Sequence, residues 1–131
     1  MKNSIFASIL VLVGFCMMLS SCTAQINERL SAEEFKEMIE NESDDFVIMD
    51  VRTDEEIALG KLIGAQQVNF RDEDFEEQLK QLDKELTYYV YCAAGGRSGK
   101  AAAKMSELGF AKVYDLKGGI NAWREQGYDL Q

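Results

Sequence analysis

Short apolar runs alternate with amphipathic segments along most of the chain. Residues 46–49 and 88–91 are continuously apolar, a pattern typical of strands buried on both faces of a parallel sheet. Weaker patterns at 66–69 and 113–114 predict two further strands. Helices are predicted directly after Ser31, over 53–59, over 73–83, after a glycine-rich turn at 95–96, and after Gly118-Gly119. In all but the second of these, apolar residues recur at helical spacing. This alternation predicts an α/β fold, with a parallel sheet covered by helices on both faces.

The first helix has the clearest local signal. Ser31 precedes it and Glu34 follows three residues later, the spacing of a capping box, in which each side chain bonds the other residue's backbone N–H. Leu30 and Phe35 are placed to pack together across the helix start. We therefore expect a helix that begins directly after Ser31.

The amino-terminal segment has the character of a targeting signal. Residues 1–21 carry one charge, Lys2, and residues 5–19 are almost wholly apolar. At 1.5 Å per residue that stretch spans about 22 Å, short of a hydrocarbon core of about 30 Å. The exit, Leu19-Ser20-Ser21-Cys22, resembles a bacterial lipobox. The pattern predicts a lipoprotein-type signal peptide over 1–21, with a plain cleaved signal and an uncleaved anchor as alternatives.

This interpretation sets the organisation of the rest of the chain. Cys22 becomes the acylated first residue, 22–29 form a polar tether, and 30–131 form one domain. The expected location is the bacterial cell envelope, where the lipid anchor holds a monomer to the membrane, facing the periplasm or the exterior. Cys92 is then the only thiol left in the body of the chain, so no internal disulfide can support the fold.

Composition excludes several kinds of site. The chain has 131 residues, with 14 Lys and Arg against 23 Asp and Glu, for a formal net charge of −9. Such an acidic chain is not expected to bind nucleic acid. Histidine is absent, which excludes Ser-His-Asp triads, Cys-His dyads and imidazole metal sites. We expect neither a metal nor an organic cofactor.

The loop after the tyrosine-rich strand carries the candidate chemistry. Cys92 follows a buried strand, and the next six residues lead into a helix: Ala93, Ala94, Gly95, Gly96, Arg97 and Ser98. Small residues allow successive N–H groups to point at one centre, and the helix directs its positive end to the same place. A thiol there is expected to ionise easily and to react without a histidine base. The alternative is a buried, inert cysteine beside an ordinary turn.

At this point the chain resembles a known family, the single-domain rhodaneses. The resemblance covers about residues 26–128 and rests on four segments in family order: Asp50-Val51-Arg52 with Glu56, Gly60 to Ala65, Cys92 to Ser98, and Gly118 to Trp123. It implies a five-stranded parallel sheet flanked by helices. It also implies that Cys92 accepts sulfur from thiosulfate or another sulfane donor, holds it as a persulfide in a cradle of N–H groups from Ala93 to Ser98, and passes it to a thiol or cyanide-like acceptor.

Residues in and beside the loop refine the sulfur-transfer activity that the resemblance implies. Ala93 stands where many rhodaneses have arginine, so the mouth lacks a positive charge and fast use of thiosulfate is not expected. Arg97 either faces the pocket or pins the loop by bonding backbone carbonyls. Asp50, Arg52 and Glu56 are interpreted as a structural ion-pair or hydrogen-bond set beside the loop.

Other polar and aromatic residues have simpler interpretations. The acidic run at 72–77 lacks the spacing and glycine of a calcium loop and is expected to be a solvated helix start. Trp123 is expected in the core.

Two other functions stay open at this stage. Related phosphatases and arsenate reductases share the scaffold, but they resemble C-x5-R, whereas four residues separate Cys92 from Arg97. That shorter loop suits one sulfur atom better than a tetrahedral oxyanion. A non-catalytic binding or sensor module is the third possibility, and the retained thiol and glycines argue against it.

Overall fold

A computed structural model of the protein describes residues 24–131. Its strands are β1 Ile26–Leu30, β2 Phe46–Asp50, β3 Gln66–Gln67, β4 Thr87–Tyr91 and β5 Lys112–Leu116. Its helices are α1 Ala32–Asn41, α2 Asp54–Ile57, α3 Phe75–Lys80, α4 Gly96–Glu107 and α5 Gly119–Glu125. The strands form one sheet in the order β1-β5-β4-β2-β3, and every neighbouring pair is parallel. The predicted five-stranded α/β fold is therefore confirmed.

Two apolar layers cover the sheet. Phe35 of α1 and Trp123 of α5 pack on one face with Tyr89 and Tyr91. Side chains of α3 and α4 pack on the other face with Tyr88, Val90 and Cys92. The apolar run over 88–91 predicted a strand buried on both faces, and all five residues of β4 are buried, the polar Thr87 included. Trp123 is in the core, as expected, with 8% of its surface exposed.

Helix α1 begins as its sequence predicted. The Ser31 hydroxyl accepts a hydrogen bond from the Glu34 N–H at 3.2 Å. The Glu34 carboxylate accepts one in return from the Ser31 N–H at 2.9 Å. Leu30 and Phe35 are both buried in the same cluster. The capping box is therefore present, and it fixes the turn between β1 and α1.

The predicted polar tether over 22–29 is wrong for its second half. Ile26–Leu30 form β1, which pairs in parallel with β5 from Ile26↔Lys112 to Leu30↔Leu116. Strand β1 has no apolar run like those of β2 and β4, because only one of its residues, Leu30, is buried and the others need not be apolar. Backbone pairing with β5 holds the strand at the sheet edge, and Arg29 also bonds Asp115 of β5. The folded domain begins at Ile26 rather than at residue 30.

Element boundaries differ from the sequence pattern where polar and apolar signals conflict. The helix predicted over 73–83 is shorter, Phe75–Lys80, because the N–H groups of Gln81 and Leu82 bond carbonyls three residues back, at 3.2 and 3.1 Å, and so tighten the turn and end the helix. The strand predicted at 113–114 is longer, because it continues through the buried Asp115. A buried acid inside a strand is not visible in an apolar pattern.

The predicted signal peptide and its acylation site, Cys22, lie outside the described residues. Across 24–131 the longest helix, α4, has 12 residues, and none of the helices there has the length and apolar character needed to cross a bilayer.

Candidate active site

Cys92 lies where the sequence places it, directly after the carboxyl end of β4. It is 1% exposed. The loop curls back because Gly95 has φ +101°, a conformation that favours glycine. This turn brings the Gly95 N–H to 3.1 Å from the Cys92 Sγ, and the Sγ lies 3.5 Å from the Ser98 hydroxyl. The sulfur therefore sits inside the turn that starts α4.

The surroundings of Cys92 favour its thiolate. Burial alone raises the pKa of this thiol, because a charged group is costly away from water. Hydrogen bonds from the Ser98 hydroxyl and from the N–H groups of Ser98, Gly95 and Ala94 outweigh burial, so the pKa is lowered from its ordinary value. A thiolate is the nucleophilic form of cysteine, so this environment supports nucleophilic chemistry without a base such as histidine.

Arg97 holds the loop, the second of the two roles that its sequence left open, but it does so through a carboxylate and not through backbone carbonyls. Its two terminal nitrogens donate to the two Glu56 carboxylate oxygens, each at 2.7 Å. The Arg97 side chain is 18% exposed and that of Glu56 is 31% exposed. This bidentate pair ties the start of α4 to α2. Hydrogen bonding by Arg97, aided by Thr53, lowers the pKa of Glu56 to about 2.

The Asp50–Arg52 ion pair supports the segment that carries Glu56. This agrees with the structural role expected from the sequence. The Arg52 Nη2 donates to the Asp50 carboxylate at 2.7 Å, and the two side chains are 2% and 1% exposed. Arg52 also donates to the carbonyls of Glu56 and Gly60. The pair therefore holds the last turn of α2 and the turn that follows it, and α2 presents Glu56 to Arg97.

The two glycines at the start of α5, Gly118 and Gly119, allow that helix to hold the active loop. The N–H of Ile120 donates to the Cys92 carbonyl at 2.9 Å, and that of Asn121 donates to the Ala93 carbonyl at 3.1 Å. A Cβ on Gly119 would lie 2.4 Å from the Cys92 carbonyl oxygen. Only glycine permits this approach, which is a physical reason for the Gly118-Gly119 pair.

Arg29 and Asp115 are site-adjacent residues that sequence reasoning missed. The Arg29 Nη2 donates to the Gly95 carbonyl at 2.6 Å, and its Nε donates to the Asp115 carboxylate at 2.8 Å. Arg29 had no signal, because it lies in a polar strand interpreted as a tether. Asp115 did have a signal, because it is a lone acid between apolar residues, three positions before Gly118.

The remaining candidate features lie apart from the loop. The acidic residues Asp72, Glu73, Asp74, Glu76 and Glu77 are exposed, as expected of a solvated helix start. Within residues 24–131, no cluster of three or more Cys, Asp or Glu side chains is arranged to hold a metal ion. A cleft of about 370 Å³ is lined by residues that include Lys36, Leu62 and Trp123, and not by Cys92 or its loop.

Comparisons with known proteins agree with this geometry. A family model described as "Rhodanese-like domain" matches residues 31–126. A sulfurtransferase of Allochromatium vinosum is 31% identical over 89 residues, which cover 68% of this chain and 81% of that protein. A solved structure of a rhodanese-related protein from Thermoplasma volcanium has 29% identity and a TM-score of 0.69, and the match covers 79% of this chain and 97% of that one.

A second kind of relative is much longer. A tRNA uridine(34) hydroxylase of Cytophaga hutchinsonii is 39% identical over 103 residues, which are 75% of this chain but 32% of that protein. The chain therefore spans about a third of that relative.

Proposed function

Because the chain belongs to the rhodanese-like domain family, we propose that it is a sulfurtransferase that carries a sulfane sulfur as a persulfide on Cys92. The observation that carries this proposal is the position of the Cys92 Sγ inside a turn of N–H donors at the start of α4. N–H groups in the first turn of a helix have no acceptor within that helix. Those of Gly96 and Arg97 are therefore free to bind a second, anionic sulfur atom.

The reaction follows from nucleophilic substitution at sulfur. The Cys92 thiolate attacks the outer sulfur of the donor; a new S–S bond forms, and the donor leaves with the electron pair of the bond that breaks. A thiolate or cyanide then attacks the outer sulfur of the persulfide. Cys92 leaves as a thiolate, and the acceptor becomes a persulfide or thiocyanate. No external oxidant or reductant is needed.

The pairing of the charged side chains around the loop favours a sulfur donor that carries little net charge. Three arginines contact the loop or its supports, and each is paired with a carboxylate: Arg97 with Glu56, Arg52 with Asp50, and Arg29 with Asp115. Ala93 adds no cation. This arrangement favours a small persulfide over the dianion thiosulfate. The net charge of −9 also disfavours a nucleic-acid substrate, so we do not extend the tRNA activity of the longer relative to this chain.

The test compares wild type with Cys92→Ser in sulfur transfer from a small-thiol persulfide, or from thiosulfate, to cyanide or a thiol. Serine keeps the size of the side chain but removes the soft nucleophile, so Cys92→Ser is expected to fold and to lose transfer. Circular dichroism serves as the folding control. Transfer that persists in folded Cys92→Ser contradicts the proposal. Hydrolysis of a phosphate ester by wild type, without sulfur transfer, favours a phosphatase instead.

We further propose that a lipid anchor on Cys22 holds this activity at the bacterial cell envelope. The support is the sequence at 19–22 after a short apolar segment, and stable anchoring needs more than one acyl chain. Cys22→Ser is expected to block processing or to release the protein from the membrane fraction. Cys92→Ser is the matched control and is expected to fractionate as wild type does. Unchanged processing and partition of Cys22→Ser would count against the anchor.

A further inference from the structure

The side chain of Arg29 reaches from the edge strand β1 to the turn that holds the reactive sulfur. Its Nη2 donates to the Gly95 carbonyl at 2.6 Å and lies 2.7 Å from the Asp115 carboxylate. Its Nε donates to the same carboxylate at 2.8 Å. The Asp115 side chain is only 4% exposed. A buried carboxylate therefore fixes the guanidinium in the position from which it holds the active loop.

The residue that Arg29 holds is the one that donates to the sulfur. The Gly95 N–H lies 3.1 Å from the Cys92 Sγ, while the Gly95 carbonyl accepts from Arg29. The Gly99 N–H also reaches that carbonyl, at the longer distance of 3.2 Å. Glycine has more backbone freedom than any other residue, so a restraint on its carbonyl also restrains the direction of its N–H.

A glycine inside α4 makes room for this contact. Gly99 is the fourth residue of the helix, and a Cβ there would lie 2.6 Å from the Arg29 Nη2. Glycine destabilises a helix interior relative to alanine, so its presence calls for a reason. The path of the Arg29 side chain across the helix supplies that reason.

We propose that Arg29 is a positioning residue for Cys92, which through the Gly95 carbonyl keeps the Gly95 N–H on the sulfur. Arg29 does not touch the sulfur itself. A peptide unit is planar and trans, so the Gly95 carbonyl and the Gly96 N–H point in opposite directions. The same hold therefore also orients the Gly96 N–H, which the proposed function assigns to the outer sulfur. The inference rests on that proposed function, because it takes Cys92 as the nucleophile.

The test is the pKa of Cys92 in Gly99→Ala. The added methyl group displaces the flexible end of Arg29 from Gly95 but leaves its charge in the protein. The Gly95 N–H is among the donors that lower the pKa of Cys92. Its loss is expected to raise that pKa by about one unit, the effect of one hydrogen bond to a charged acceptor. The pKa is read from the ultraviolet absorbance of the thiolate, after subtraction of the same titration of Cys92→Ser.

The rate of sulfur uptake gives a second readout of the same change. At a pH below both pKa values, the thiolate fraction of the variant is about tenfold smaller, but its more basic thiolate is about threefold more reactive. Uptake by Gly99→Ala is therefore expected to be about threefold slower than wild type at low pH and faster at high pH. The unfolding free energy is expected to change little, because alanine favours the helix.

Arg29→Ala removes the contact from the other side. It is expected to raise the pKa of Cys92 at least as much as Gly99→Ala does, and to lower stability, because Asp115 loses its partner. Once Arg29 is absent, Gly99→Ala is expected to have no further effect on Cys92. Arg71→Ala removes an exposed arginine and is expected to leave the pKa unchanged.

Two further ion pairs near Cys92 stay intact in all of these variants. They are Arg97 with Glu56, and Asp50 with Arg52. A change in the pKa of Cys92 therefore reports on the contact between Arg29 and Gly95 rather than on these pairs.

Three results would overturn the inference. An unchanged Cys92 pKa in folded Gly99→Ala shows that the contact does not act on the sulfur. A shift in Arg29→Ala alone shows an effect of charge, and shifts that add in the double variant show that the two residues act independently. Failure of wild type to take up sulfur refutes the proposed function instead, and it leaves the pKa comparison to decide the role of Arg29.

Discussion

Helices α4 and α5 both follow neighbouring strands of the sheet, and each is preceded by a glycine in the left-handed conformation, Gly95 with φ +101° and Gly118 with φ +75°. At the start of α4 the Gly95 N–H donates to the Cys92 sulfur at 3.1 Å. At the start of α5 the N–H groups are already bound, because Ile120 and Asn121 donate to the carbonyls of Cys92 and Ala93. One helix start faces a nucleophile, and the other holds the loop that carries it.

The difference shows what a glycine-led helix start needs to become a reactive site. A strand end, a left-handed glycine and a helix dipole are present in both places. Of the two turns, only that of α4 also has a thiol, which accepts from the Gly95 N–H, and first-turn N–H groups, those of Gly96 and Arg97, that have no acceptor within the helix. The α5 turn supplies rigidity, so damage at α5 is expected to reach Cys92 through the backbone rather than through chemistry.

Gly119→Ala breaks the support given by α5. A Cβ there would lie 2.4 Å from the Cys92 carbonyl oxygen, at φ +59°. Overpacking and backbone strain together are expected to cost about 2–4 kcal/mol of unfolding free energy, with loss of most sulfur transfer. Denaturant unfolding and the transfer assay measure the two effects.

Gly127→Ala is the matched control for that variant. Gly127 also has a positive φ, +72°, but no atom lies within 4 Å of its Cβ position. It is expected to lose about 1 kcal/mol from strain alone and to keep its activity. Equal losses in the two variants would refute the supporting role of α5.

Arg97→Ala tests the contact that holds the start of α4 to α2. It removes the bidentate tie to Glu56, and the displaced loop is expected to cut transfer about tenfold per folded molecule. Arg52→Ala leaves Asp50 buried without its partner, and acts mainly through stability. The comparison uses specific activity at equal folded fraction, taken from melting curves. Equal specific activities would remove Arg97 from the site.

The pH dependence of the unfolding free energy tests the role of Glu56, and its expected effect is smaller than those of the glycine and arginine variants. Arg97 and Thr53 lower the pKa of Glu56 from an ordinary 4.5 to about 2 in the folded protein. A lowered carboxyl pKa stabilises the fold above about pH 4.5, and that contribution is lost as the pH falls toward 2. Unfolding free energy is therefore expected to fall more steeply over this range in wild type than in Glu56→Gln. Parallel curves would show that the pair does not stabilise the fold.

The parts of the fold that local sequence determines were predictable. The capping box at Ser31 and Glu34 lies within one helical turn. The burial of β4 follows from four adjacent apolar residues, 88–91. The same holds for Cys92 and its glycine-rich turn, where strand, thiol and helix start are contiguous.

The contacts that support the site were not predictable in this way, because they join residues far apart in the chain. Arg97 and Glu56 are separated by 41 positions, and Arg29 and Asp115 by 86. The first strand gave no signal either, since an edge strand needs little apolar surface and is held by its pairing with β5. The topology of the fold decides which of these polar residues meet, and a local sequence pattern carries no information about that topology.

The most direct test of the account is the intact mass of the purified protein after exposure to a sulfane sulfur donor, before any acceptor is added. Wild type is expected to gain the mass of one sulfur atom, to lose it on addition of cyanide or a reducing thiol, and to gain nothing as Cys92→Ser. An unchanged wild-type mass, or the same gain in Cys92→Ser, would contradict the claim that Cys92 carries the sulfur.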